Sequence, residues 1–195
     1  MKNTNHSLFD KYEMIKDLGT GSSGSVTLVR HISMDQERAL KKVPKASAFA
    51  ESALSEARLL KSLEHQSIPR IFDFEEDDAF YYIVEEYIDG ETLDSFLLHQ
   101  QLISPGLFFN ICEQLCNVFI YLHTQISTPI IYRDLKPEHI IVCHNKLKLI
   151  DFGVSAYVIQ DGNNFNHYGN IEFSAPECFI EDTITPAADI YSLGQ

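Results

Sequence analysis

Apolar and polar positions give the chain two textures. Between residues 9 and 86 the alternation has period two. Val26 and Leu28 interleave with Ser25 and Thr27, Ala39, Lys41 and Val43 interleave with Leu40 and Lys42, and Tyr81–Val84 is an aromatic and β-branched run. This texture predicts a small, twisted antiparallel sheet. One segment departs from it: over 47–63, Phe49, Ala53, Leu59, Leu60 and Leu63 fall at helical offsets from Glu56, so a helix is expected with Glu56 on its apolar stripe. Glu51, Arg58 and Lys61 fill the opposite side, and the solvated face is complete without Glu56. A carboxylate on an apolar face requires a cationic or hydrogen-bonding partner. Strand alternation turns Lys41 to the side of Ala39 and Val43, and Lys42 to the other, which makes Lys41 the expected partner.

From about residue 92 the period becomes helical. Phe108, Ile111, Cys112, Leu115, Phe119 and Leu122 keep spacings of three and four after Ser104-Pro105, an N-cap followed by a first-turn proline. Short strands are predicted over 140–143 and 147–150, joined at His144-Asn145, and the polar stretch Asp161 to Asn170 reads as a loop.

Composition narrows the possibilities. With 195 residues, 45% apolar and 22% charged, the chain suits one folded domain and does not fit disorder, collagen or a coiled coil. Lys plus Arg total 15 against 28 Asp plus Glu, a net charge of −13. A surface this acidic repels nucleic acid and anionic lipid, and neither is an expected partner. The N-terminus has no secretory apolar stretch and no run approaches the ~18 apolar residues of a membrane span, so a cytoplasmic protein is expected. Cys112, Cys116, Cys143 and Cys178 form no CxxC pair, and reduced, buried thiols are expected.

Gly19-Thr-Gly21-Ser-Ser-Gly24-Ser-Val26 is a G-x-G-x-x-G-x-V segment. A dinucleotide site would need a helix directly after it, whereas Ser25 to Val29 is β-patterned, so a hairpin lid over phosphates is the better reading. Further on stand Ile131-Tyr-Arg-Asp134-Leu-Lys136-Pro-Glu-His139, then Asp151-Phe152-Gly153 at 17 residues past Asp134, then Ala175-Pro176-Glu177 and Asp189-Ile-Tyr-Ser-Leu-Gly194. In this order and at these separations the sequence resembles the eukaryotic-type protein kinase family, and Tyr82–Leu93 together with Ile131-Tyr-Arg-Asp134 looks most like its bacterial Ser/Thr branch.

The resemblance implies an α+β, bilobal fold over 1–195 as a single domain, with a β-rich lobe over 9–86 and a helical lobe over 87–195. It implies an ATP-dependent Ser/Thr kinase that uses Mg²⁺ and acts on a protein substrate. Asp134 would orient and accept the proton of the substrate hydroxyl, and Lys136 would neutralise the transferred phosphoryl group. ATP would be held by Gly19, Gly21, Gly24, Lys41 and Glu56 at the phosphates. At the adenine, the resemblance assigns Val26, Ala39, Ile141 and the backbone of Glu86 and Ile88. Asp151 would carry the metal, because a hard cation wants carboxylate oxygen.

Several residues depart from the family. His139 stands where the family has a metal-binding asparagine. Imidazole is a reluctant ligand for Mg²⁺, which implies weakened metal and ATP affinity unless Mn²⁺ or Glu138 compensates; the alternative is that one metal suffices. Tyr132 replaces the histidine before Arg-Asp and is expected to pack equivalently, Glu85 takes the gatekeeper position, and Asn170-Ile171-Glu172 replaces the usual Thr-Pro-x. Arg133 suggests control by loop phosphorylation, with Ser155, Tyr157, Tyr168 and Ser174 as hydroxyls. Asp189 to Gln195 resembles only the start of the helix at the base of the large lobe. That is expected to leave Ile190 and Leu193 uncovered, with association through the incomplete lobe as a consequence. The alternative function is a nucleotide-binding or protein-interaction module without turnover.

Overall fold

The computed structural model describes residues 7–21, 24–100, 102–157, 170–180 and 184–195. Two compact units divide the chain, Met1–Glu64 with Pro69–Tyr87 and His65–Ile68 with Ile88–Gln195.

In the first unit a short helix, α1 (Leu8–Lys11), leads into β1 (Tyr12–Gly21), β2 (Gly24–His31) and β3 (Gln36–Pro44). Helix α2 (Ala50–Lys61) and strands β4 (Ile71–Glu76) and β5 (Phe80–Glu86) follow. The strands form one five-stranded sheet in the order β1-β2-β3-β5-β4, and every pairing is antiparallel. Register sets the faces: Val26 and Ile83 lie opposite Lys41, and Leu28 and Glu85 opposite Ala39. Directly opposed residues share a face, so Val26, Ala39, Lys41 and Val43 point together, as the alternation required. On that side Val43 and Ile83 pack against Ala53 and Ala57 of α2. The other side is covered by α1, with Leu8 and Tyr12 against Val29, Leu40, Tyr82 and Val84, and there the Lys42 ammonium rests 4.0 Å over the Phe80 ring.

Helix α2 begins later than its periodicity suggested. Turn bonds from Ser47 N–H to the Pro44 carbonyl and from Ala50 N–H to the Ser47 carbonyl hold the chain outside the helix. Phe49 is consequently the N-cap residue and is 45% exposed instead of lying on the stripe.

The second unit contains β6 (Glu91–Thr92), α3 (Leu93–His99), α4 (Pro105–Ile120), β7 (Ile130–Ile131), β8 (Ile140–Cys143), β9 (Lys146–Leu149), β10 (Ala156–Tyr157), α5 (Glu177–Ile180) and α6 (Ala187–Leu193). The Ser104 hydroxyl accepts from Leu107 N–H, with Pro105 in the first turn, which satisfies an otherwise orphan donor. Helix α4 buries Leu115, Val118 and Phe119 and continues into a π-helical turn over Tyr121–Gln125 that buries Leu122. The expected stripe therefore holds from its middle onward, while Phe108, in the first turn, is 54% exposed. The thiol expectation is corrected in the same way: all four cysteines are free, but only Cys178 is buried and Cys116 is exposed.

The β8–β9 hairpin turns on His144 and Asn145, at φ of 47° and 64°, the left-handed pair of a two-residue hairpin. Gln114 of α4 fastens it, accepting from Leu147 N–H at 2.9 Å and donating to the Asn145 carbonyl at 2.9 Å. The polar loop read from the sequence lies outside the described residues up to 169, as do Ser22, Ser23 and Tyr168.

Candidate active site

In the first unit the two apolar-face charges meet. Lys41 Nζ lies 2.8 Å from Glu56 Oε2, with side chains 20% and 9% exposed. A strand supplies the ammonium and a helix face the carboxylate, so the pair is held by packing on both sides, and desolvation strengthens each group's demand for the other. Of the three glycines, Gly24 is the one with a demonstrable steric need. It sits at φ 145°, and a Cβ there would lie 2.1 Å from the Lys42 carbonyl oxygen, whereas a Cβ on Gly19 would meet nothing within 4 Å. Gly21 closes β1 opposite Gly24. Val26 is half-buried and Ala39 buried on the Lys41 face, and half-buried Glu85 stands opposite Ala39. Glu86 N–H is bonded to the Arg70 carbonyl at 2.9 Å.

In the second unit the Ile131–His139 segment is built around a buried carboxylate. Asp189 of α6, with no exposed surface, accepts from Tyr132 N–H and Arg133 N–H, both at 2.8 Å, and contacts His123 Nε2 at 2.8 Å. These bonds hold Arg133 in a left-handed conformation, φ 76°, which a side chain with a Cβ adopts only where surroundings enforce it. The next residue, Asp134, is half-buried, with its side chain 19% exposed. Its Oδ2 lies 3.1 Å from Lys136 Nζ, and the segment closes in a 3₁₀ turn over Pro137–His139. Tyr132 is fully buried, packs edge-on against Phe152 at 5.1 Å and Phe119 at 6.4 Å, and donates its hydroxyl to the Ile150 carbonyl. It therefore packs as expected and adds a hydrogen bond.

Asp151 follows β9, also left-handed at φ 61°. Its Oδ1 accepts from Gly153 N–H at 3.2 Å, and its side chain is 54% exposed. His139 stands between the two aspartates: Nδ1 is 3.1 Å from the Asp134 main-chain oxygen and 3.3 Å from Asp134 Oδ2, and Nε2 is 3.6 Å from Asp151 Oδ2. The Ile150 N–H bond to the His139 carbonyl, 2.8 Å, fixes the two segments to each other. Glu138 is exposed. Among the described residues no group of three or more His, Cys, Asp or Glu could hold a metal ion by itself. Asp151 nevertheless suits Mg²⁺ chemistry, in which one or two carboxylates share the ion with substrate phosphates and water. Ile141 lies half-buried in β8 opposite Thr92, and the Ile88 carbonyl accepts from Gly90 N–H.

Asn170, where threonine was expected, caps its own turn: its side chain accepts from Glu172 N–H and its carbonyl from Ser174 N–H. Of the candidate loop hydroxyls, Ser155 donates to the Tyr132 carbonyl and Ser174 is buried. Ile190 is 53% exposed and Leu193 half-buried. A cavity of about 270 Å³ in this unit is lined by apolar side chains including Leu93, Leu115, Leu135 and Leu193, and Lys136 is its one charged lining residue. Through Leu135 and Lys136 it borders the segment that carries Asp134.

Two residues of this arrangement were missed from sequence. The sequence shows Asp189 only as part of a motif and gives no signal for His123. An acid between Ala188 and Ile190 gave the same signal that singled out Glu56, a carboxylate among apolar positions.

The protein kinase domain family matches residues 12–195. The chain belongs to that family. It is 31% identical over 193 residues to the serine/threonine-protein kinase PrkC of Bacillus subtilis (strain 168), covering 94% of this chain and 29% of that protein. It is 33% identical to the serine/threonine-protein kinase ppk25 of Schizosaccharomyces pombe, covering 92% of this chain and 43% of that protein. It is 32% identical to calcium-dependent protein kinase 4 of Plasmodium falciparum, covering 100% of this chain and 38% of that protein. The kinase domain thus spans less than half the length of these relatives, and its α+β architecture is that of the family.

Proposed function

We propose that this chain is an ATP-dependent serine/threonine protein kinase. The observation that carries the reading is Asp134 with Lys136 Nζ at 3.1 Å, on a segment whose backbone is fastened by Asp189. Asp134 orients a protein hydroxyl and takes up its proton, and Lys136 neutralises charge on the phosphoryl group as it transfers. Lys41, kept in position by Glu56, and the glycines Gly19, Gly21 and Gly24 hold phosphate. Val26, Ala39 and Ile141, with the backbone of Glu86 and Ile88, hold the base. Asp151 holds the divalent ion, which when bound screens the phosphate oxygens. Four free thiols fit a reducing cytoplasmic setting.

The position of His139 supports a second reading, a nucleotide-binding module without turnover, because its imidazole is lodged where both aspartates need freedom. One pair of measurements separates the readings. Thermal shift with ATP and Mg²⁺ or Mn²⁺ reports binding, and transfer of γ-labelled phosphate to protein serine and threonine reports turnover. A shift with transfer that Asp134→Asn abolishes supports the kinase. A shift without transfer supports the module, and no shift defeats both.

A further inference from the structure

The second unit holds a cavity of about 270 Å³ that the proposed chemistry does not use. Leu93 and Leu97 wall it from α3, Ile111 and Leu115 from α4, and Leu193 from α6. Walls of this kind offer water few hydrogen bonds and favour hydrocarbon. Size sets the class of occupant. A methylene group is about water-sized, and a water takes roughly 30 Å³, so the cavity accepts a chain of about nine carbons. An aliphatic side chain reaching in from another protein would fill less than half of that space, whereas a free alkyl chain fills it.

The lining's one charge, Lys136, sets the head of the ligand. Its Nζ lies 3.1 Å from Asp134 Oδ2, and its side chain is 22% exposed. An ammonium has three N–H donors, and the Asp134 bond takes one, so a second carboxylate can share the cation. The net charge of −13 does not oppose this, because exposed charges more than about 8 Å away are screened at physiological salt while a contact pair in a poorly hydrated site is not.

We infer that this cavity binds a free, medium-chain aliphatic carboxylic acid of about eight to ten carbons, with its tail against α3, α4 and α6 and its carboxylate on Lys136. The ligand and Asp134 then draw on one ammonium, which couples the cavity to the proposed phosphate transfer. The binding itself does not rest on the kinase reading.

The test titrates the full chain with hexanoate, octanoate, decanoate and dodecanoate, each below its micellar concentration, by isothermal titration calorimetry. One saturable site is expected, with affinity rising about three- to fourfold per added methylene up to decanoate and no further for dodecanoate. Decan-1-ol should bind about tenfold more weakly than decanoate, and Lys136→Met should erase that difference. Cys112 lines the cavity, while Cys116, one turn further along α4, is exposed. Decanoate at about ten times its Kd should therefore slow alkylation of Cys112 by N-ethylmaleimide about tenfold and leave Cys116 unchanged, as read by peptide mass spectrometry. Absence of saturable binding, affinity that keeps climbing to dodecanoate, decan-1-ol as tight as decanoate, or equal reactivity changes at the two thiols each overturns the proposal. The chain-length series and the thiol pair use the wild-type protein and decide even if Lys136→Met does not fold.

Discussion

The two units assemble their charged residues by different means. In the first, Lys41 and Glu56 are 15 residues apart, and each is delivered by the rule of its own element: alternation turns the lysine to the helix side of the sheet, and helical periodicity turns the glutamate to the core. In the second, Asp134 and Lys136 are neighbours in sequence, but their presentation depends on Asp189, which bonds backbone 57 residues away. A site made of two local patterns tolerates error in everything except the patterns. A site made by one distant anchor fails when the anchor fails.

The comparison is broken most severely at that anchor. Asp189→Ala leaves the buried Tyr132 and Arg133 N–H groups without their acceptor, and a loss of about 3–5 kcal/mol is expected in urea unfolding. Hydrogen exchange should rise at those amides while β3 and β5 of the first unit keep their protection, and equal loosening of both units would contradict the contrast. Next comes Lys41→Met, which removes one preorganised charge. Phosphate transfer should fall by about 10²–10³ with little change in the Asp189-dependent amides.

Gly24→Ala tests the hairpin. A methyl group 2.1 Å from the Lys42 carbonyl oxygen at φ 145° should destabilise by about 1–3 kcal/mol, whereas Gly19→Ala, which meets nothing within 4 Å, should be nearly silent; the urea midpoints of the two variants check this. The smallest effect concerns pH. Burial, assisted by the nearby Lys148 charge, lowers the His65 pKa, and its Nδ1 accepts from Ser67 N–H at 3.1 Å while the ring stacks on Tyr121. The folded state thus disfavours the proton that the unfolded chain takes up below about pH 6.5. Stability is full at neutral pH and falls as the pH drops through that value. The urea midpoint should be lower at pH 5.5 than at 7.5, and His65→Gln should shrink the difference.

The fold was legible wherever neighbours in sequence decide. The β3 alternation, the Ser104 cap and the His144-Asn145 turn were all readable because each depends on a few adjacent residues. The start of α2 differs from its periodicity because turn bonds at Pro44 and Ser47 compete with the helix, and Phe108 keeps the apolar spacing yet is 54% exposed, because spacing does not reveal how much cover neighbouring elements supply. Of the candidate site, the residue types and the Lys41–Glu56 pair were visible, and the bonds of the Ile131–His139 segment were not. Nothing near His139 in sequence indicates that its two ring nitrogens face different aspartates, and nothing near Tyr132 indicates that its hydroxyl meets Ile150.

Sequence alone determined the alternating strands of the first unit, the β8–β9 hairpin, helix α4 and most of α2, the resemblance to the family, and that Lys41 and Glu56 bear charge on apolar faces, because those follow from periodicity and short motifs. Tertiary structure alone decided that Asp189 fastens the segment bearing Asp134, and that the His139 ring stands between two carboxylates. The reason is physical: a buried acceptor satisfies whichever donors the packed chain brings to it, and which donors those are depends on closing loops of more than fifty residues.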